Sequence, residues 1–167
     1  MKNPAIEMYN YHVWANELII NRIKELPREI YHQETLSGYP TLSKVLAHLY
    51  FVEYAWFEII SGKSMNETFE TANQMGEQLE AKDIEEMEIL FNELSARSKQ
   101  RIHLEEDMER IIIVDNPYAG ILNTTPTESV LHVVTHGSYH RGNIATMLRQ
   151  LGHTSVMQDY GLYLYSK

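Results

Sequence analysis

Thr125-Pro126-Thr127-Glu128-Ser129-Val130-Leu131-His132-Val133-Val134-Thr135-His136-Gly137-Ser138-Tyr139-His140-Arg141-Gly142-Asn143-Ile144 is the stretch from which the rest of the chain can be read. Thr125 can cap a helix, Pro126 suits the first helical position, and Glu128 follows Thr125 by three residues, as a capping box requires. The spacing predicts a helix to about Leu151, roughly 39 Å long at 1.5 Å per residue, ended by Gly152. His132, His136 and His140 recur every four residues, so consecutive imidazoles lie only about 40° apart on one stripe. Val133, Asn143, Ile144, Met147 and Leu151 share that stripe, which turns the histidines towards a helical interior.

Three earlier stretches have the same period. The first runs from about Ala5 to Leu26, with Ile6, Tyr9, Val13, Leu18, Ile20 and Ile23 as its apolar side, and Pro27 ends it. A polar connector closes with Ser37-Gly38-Tyr39-Pro40, and Thr41 then caps a second helix reaching about Ser61. Leu42, Val45, Leu46, Leu49, Val52, Trp56, Ile59 and Ile60 form its stripe, and Gly62 stops it. Residues 62–81, polar and holding two glycines, read as a connector long enough to cross a bundle end to end. A third helix is expected from about Ala81 to Glu106, burying Ile84, Met87, Leu90, Phe91, Leu94 and Ile102. The period then changes: Arg110-Ile111-Ile112-Ile113-Val114 is β-branched, and Asp115-Asn116-Pro117 and Gly120 are turn residues, so a short hairpin or extended loop precedes the last helix. The tail from Met157 to Lys167, with Tyr160, Tyr163, Leu164 and Tyr165, should pack back on the helices. The expected fold is all-α, a four-helix bundle with one long crossover, in a single domain over residues 1–167.

Composition narrows the chemistry. The chain has 167 residues, 44% hydrophobic and 22% charged, a globular balance that disfavours disorder. It contains no cysteine, which removes disulfides, thiolate nucleophiles, Fe–S clusters and Cys-containing zinc motifs. Fourteen Lys and Arg against 23 Asp and Glu give a formal net charge of -9. Without a basic run, neither nucleic acid nor an anionic membrane is an expected partner. No apolar signal core or run of membrane-spanning length is evident, and a cytoplasmic location is expected.

Stacked imidazoles in an apolar interior cannot all be protonated, because desolvation and mutual repulsion both oppose the charge. Neutral imidazoles still need partners, and a divalent metal supplies one. His136 and His140, at i and i+4, have the bite for one ion, and a third ligand must come from another helix. His48, beside Val45, Leu49 and Val52, is the first candidate, and His12 the next. Glu53 and Asn143 are candidates for orienting the imidazoles, whereas His32 lies in a polar connector. Gly137 follows His136 and Val133 follows His132, so the H-E-x-x-H metalloprotease pattern fails. Glu-x-x-His spacing is absent around these histidines, and G-x-S-x-G and the P-loop are also missing.

Tyr9-Asn10-Tyr11-His12-Val13-Trp14-Ala15-Asn16, Leu46-Ala47-His48-Leu49 and the segment from His132 to Ile144 together resemble the DinB/YfiT-like metalloenzyme family, which is unrelated to the DNA polymerase sharing the DinB name. The resemblance covers nearly the whole chain and implies an up-down-down-up four-helix bundle, usually dimeric. It implies a divalent metal held by three histidines, matching His48, His136 and His140, with zinc or nickel favoured and iron or manganese as alternatives. His132 matches a frequent family histidine that need not be a ligand, and is read as hydrogen bonding locally. Some members resemble thiol S-transferases using a low-molecular-weight thiol; others act as metal-dependent hydrolases or isomerases. The expected function is therefore a metal-dependent enzyme acting on a small molecule, with a thiol cosubstrate. A non-catalytic metal-binding stress protein is the competing reading.

Overall fold

The computed structural model describes residues 3–167. Four long helices dominate: α1 (Pro4–Lys24), α2 (Leu42–Ile60), α4 (Ile84–Leu104) and α5 (Pro126–Gln150). Helix α1 packs on α5 and α4, and α2 packs on the same two, so the four close a ring around a common interior. That interior holds Ile19, Leu42, Val45, Leu46, Met87, Ile144, Met147 and Leu148, all nearly inaccessible to solvent.

The helix starts follow from the capping residues. Asn3 Oδ1 accepts the Ala5 N–H at 2.9 Å, with Pro4 behind it. Thr41 Oγ1 accepts the Lys44 N–H at 3.2 Å. Thr125 Oγ1 accepts the Glu128 N–H at 3.1 Å, but the box is not closed: the Glu128 carboxylate instead accepts from the Thr124 hydroxyl at 2.9 Å.

The expected connector over residues 62–81 is instead mostly helix, α3 (Met65–Glu80). Ser64 and Glu67 form a reciprocal capping box, and Met65, Thr68 and Leu79 are buried with Phe69 and Met75 beside them. The two glycines misled the reading. Gly62, at φ +101°, ends α2 where the left-handed region favours glycine, whereas Gly76 lies inside a helix whose packing along α2 outweighs its poor propensity. Two shorter elements also join the expected helices: a 3-10 turn over Arg28–His32 and α6 (Tyr160–Tyr165). Helix α6 lies on α1 as the tail was expected to, Tyr160 and Tyr163 meeting the Tyr11 ring at 5.3 and 5.8 Å.

The expected hairpin is present. Strand β1 (Ile112–Asn116) pairs antiparallel with β2 (Gly120–Thr124), Ile112 opposite Thr124 and Asn116 opposite Gly120. Asn116 Oδ1 accepts the Tyr118 N–H at 2.9 Å, and Gly120 takes φ +84° to close the turn. Ile112 and Val114 face inward while Ile111 and Ile113 face out, the alternation of a strand with one covered face. Among the described residues no helix is long and apolar enough to cross a membrane.

Candidate metal centre

Helices α2 and α5 run side by side, and their contact brings three histidines together. His48 Nε2 lies 3.1 Å from His136 Nε2, and His140 Nε2 lies 3.1 Å from the same atom. One ligand nitrogen from each lies within 4.8 Å of the others. At zinc–nitrogen distances of about 2.0–2.1 Å, tetrahedral donors lie about 3.4 Å apart and octahedral neighbours about 2.9 Å. The 3.1 Å separations fall between these limits. Hydrogen bonding alone serves the cluster poorly. Each Nε2 carries either one N–H or one lone pair, so His136 cannot make two ordinary bonds from one atom. Three converging lone pairs suit a cation, and these three histidines could hold a metal ion.

Position sets their charge. His140 is buried, and His48 and His136 are half-buried. Burial, with His140 nearby as a second cause, pushes the His48 imidazole down to about 4. Burial, with His140 and His48 adding to it, pushes His136 down to about 3. Burial also lowers His140. All three are therefore neutral at physiological pH, the protonation state in which an imidazole donates a lone pair. Asn143 lies where it can fix His140, its amide 3.5 Å from His140 Nδ1. With Nε2 used as a donor to metal, Nδ1 carries the proton and needs the amide oxygen, which a 180° turn of the Asn143 amide presents.

Other expectations need correction. The stripe does not turn all three α5 histidines inward: His132 is exposed, at the shallow edge of the helix contact, and its ring lies 4.7 Å from Trp56. Glu53 does not orient the converging imidazoles. It is buried one turn and a residue beyond His48, where it accepts from the Tyr9 hydroxyl at 2.5 Å and meets His12 Nε2 at 3.1 Å. His12, the second choice for third ligand, belongs to that separate cluster. Arg141 Nη1 approaches His12 Nδ1 at 3.3 Å and donates to Asn16 Oδ1 at 2.8 Å, and Asn16 Nδ2 lies 2.9 Å from His12 Nε2. A guanidinium can only donate, so His12 Nδ1 accepts and Nε2–H points to Glu53. The result is a buried chain Glu53–His12–Arg141 in which the carboxylate and the guanidinium compensate each other's charge.

Gly137 makes that chain possible. A Cβ there would lie 2.3 Å from His12 Cε1 and 2.5 Å from its Nδ1, so only glycine lets the His12 ring lie against α5 between His136 and Arg141. Reading the sequence had used Gly137 only to reject a metalloprotease. It also missed Tyr39, whose ring lies 5.0 Å from His48 and 5.4 Å from His140. The Ser37-Gly38-Tyr39-Pro40 turn was the available signal, since an aromatic held between turn residues next to a helix start is placed rather than free.

Comparison with known proteins agrees with this architecture. The chain is 49% identical over 165 residues to "Protein DinB" of Bacillus subtilis (strain 168), a match covering 99% of this chain and 96% of that protein. The crystal structure of a DinB-like protein from Bacillus cereus ATCC 10987 superposes with a TM-score of 0.65, covering 92% of this chain and 94% of the other. At 14% identity that likeness speaks for the fold. The family model described as "DinB family" matches residues 1–167. With its whole length matched and nearly half its residues shared with a DinB protein, the chain belongs to the DinB family.

Proposed function

We propose that this chain is a metal-dependent enzyme that transfers a small thiol to an electrophilic small molecule, with His48, His136 and His140 holding a divalent cation, zinc or nickel first. The observation that carries the reading is the convergence of three neutral Nε2 atoms from two helices. A three-histidine set leaves coordination positions for a small molecule. A divalent cation held there would supply Lewis acidity, favouring the anionic form of a thiol near neutral pH.

The chain's own residues do the positioning. Two ligands on one helix, a turn apart, fix a rigid edge, and His48 closes it from α2. Tyr39, its hydroxyl raised by burial and so kept protonated, covers the His48 and His140 rings and narrows the approach to them. The missing cysteines fit an enzyme whose sulfur comes from a cosubstrate. In the transfer the thiol proton passes to solvent, the sulfur lone pair forms the new C–S bond, and the leaving group departs with its bonding pair. The resemblance to a largely dimeric, up-down-down-up family supports the same helix directions and association of two copies here, which sedimentation at micromolar concentration checks.

The test is spectroscopic and kinetic. Cobalt-loaded protein should gain a thiolate-to-metal charge-transfer band on addition of bacillithiol or a simpler thiol. Conjugation of monochlorobimane should be faster with metal than after chelation. An unchanged cobalt spectrum, together with turnover of hydrolysable substrates, would replace the transferase reading with a hydrolase.

A further inference from the structure

Beside His136, on the face of α2 turned away from the main interior, a cleft of about 260 Å³ opens between α2, α3, the tip of β1 and α5. Its walls are Phe51, Trp56 and Ile59 from α2 and Phe69 from α3, and its polar residues are Asn116, His132 and His136. Three of these walls, Phe51, Trp56 and Phe69, are aromatic and only partly buried. Not one Lys, Arg, Asp or Glu lines the cleft, in a chain where 22% of residues are charged. Elsewhere on the molecule charged side chains form ion pairs such as Lys24–Glu88 and Lys63–Glu58.

We infer that this cleft binds the electrophilic substrate, and that the substrate is a neutral, flat, largely aromatic molecule. The inference rests on the transferase reading for the word electrophilic, and on the cleft alone for the rest. A neutral ligand fits best because the lining offers no Lys, Arg, Asp or Glu to pair with a charge, its polar groups being one amide and two neutral imidazoles, and an unpaired charge taken from water is costly. Flat aromatic shape follows from the walls, since ring faces and edges offer offset-stacked and edge-to-face contacts that aliphatic walls do not. The volume approaches the lower end of the roughly 300–1,000 Å³ range of small-molecule sites, enough for one or two fused rings. Orientation follows from the polar end: a ligand filling the apolar part leaves its remaining end beside His136, which is one of the three converging histidines. Helix α3 is thus one wall of the binding site.

Binding can be read without turnover. The chain has two tryptophans, Trp14 and Trp56, so a Trp14→Phe protein reports from the cleft alone. N-phenyl-1-naphthylamine, neutral and aromatic, should quench Trp56 by energy transfer and saturate at one per chain. 1-Anilinonaphthalene-8-sulfonate, the same skeleton with a sulfonate, should bind at least tenfold more weakly. Phe69→Ala and Phe51→Ala should each weaken the neutral probe at least fivefold while metal content stays unchanged and each variant remains folded at the assay temperature, and Ala55→Phe should abolish binding. Equal affinity for the two probes, absence of transfer from Trp56, or wall variants that bind as well as the parent would each overturn the inference. The two readings fail separately: saturable neutral binding without thiol conjugation leaves the cleft standing and removes the reaction, whereas conjugation that the wall variants leave untouched removes the cleft.

Discussion

Gly137→Ala is the smallest change that should disturb the site, and its cost can be worked from the geometry. The added methyl would lie 2.3 Å from His12 Cε1, 2.5 Å from His12 Nδ1 and 2.9 Å from Arg141 Nη1. Reaching ordinary contact of about 3.4 Å means moving the imidazole or α5 by about 1 Å. The imidazole cannot swing freely, because Glu53 holds it through Nε2–H and its neighbours are buried. Overpacking of this kind costs about 1–3 kcal/mol, and a buried polar group left unpaired adds about 1–3 kcal/mol. Ala in place of a helical Gly returns at most about 1 kcal/mol. The net is a loss of about 1–6 kcal/mol, with a midpoint of about 3 kcal/mol that corresponds to a fall in Tm of about 6–12 °C for a chain of this size. Thermal unfolding of the metal-free protein measures it, and chelator competition should show weaker metal binding, because α5 carries two of the three converging histidines. In a His12→Ala background the same substitution should cost at least about 1 kcal/mol less, since the two closest contacts, both with His12, have gone. A Gly137→Ala protein as stable as the parent, or an equal cost in both backgrounds, would refute the reasoning.

Further outcomes follow from the same contacts. His48→Ala, His136→Ala and His140→Ala should each lose stoichiometric metal by elemental analysis, whereas His32→Ala and His12→Ala should keep it; full metal in His48→Ala would remove that residue from the ligand set. The metal-free protein should lose stability as pH falls from 7.5 to 5. His48 at about 4 and His136 at about 3 in the folded chain lie below the unfolded value near 6.5, so the unfolded state takes up protons first. Stability from these groups is complete above about 6.5 and is lost as pH drops towards 4, and a Tm flat over that window would contradict it. Thr125→Ala removes the cap on Glu128 N–H and should cost about 1 kcal/mol, or about 2–4 °C in Tm.

What could be read from the sequence, and what could not, divides by the range of the interaction. The α5 histidine pair was legible because helix geometry alone fixes residues four apart on one face, and His48 was legible because a buried stripe passed beside it. Depth was not legible. A stripe gives direction around the helix axis, but how far the neighbouring helix extends decides burial, and α2 presents Trp56 at the level of His132 rather than closing over it. The same limit misassigned Glu53: it lies five residues after His48, about 140° further round α2, which turns it towards α1, where Tyr9 and His12 receive it. Helix α3 was missed for a different reason. Its Ser64–Glu67 capping box and the spacing of Met65, Phe69 and Leu79 were present, but a weakly apolar segment with an internal glycine becomes helical through its packing on α2. That packing also sets Phe69 across from Trp56 and Phe51, so a contact that local pattern could not reveal is the one that forms the cleft beside His136.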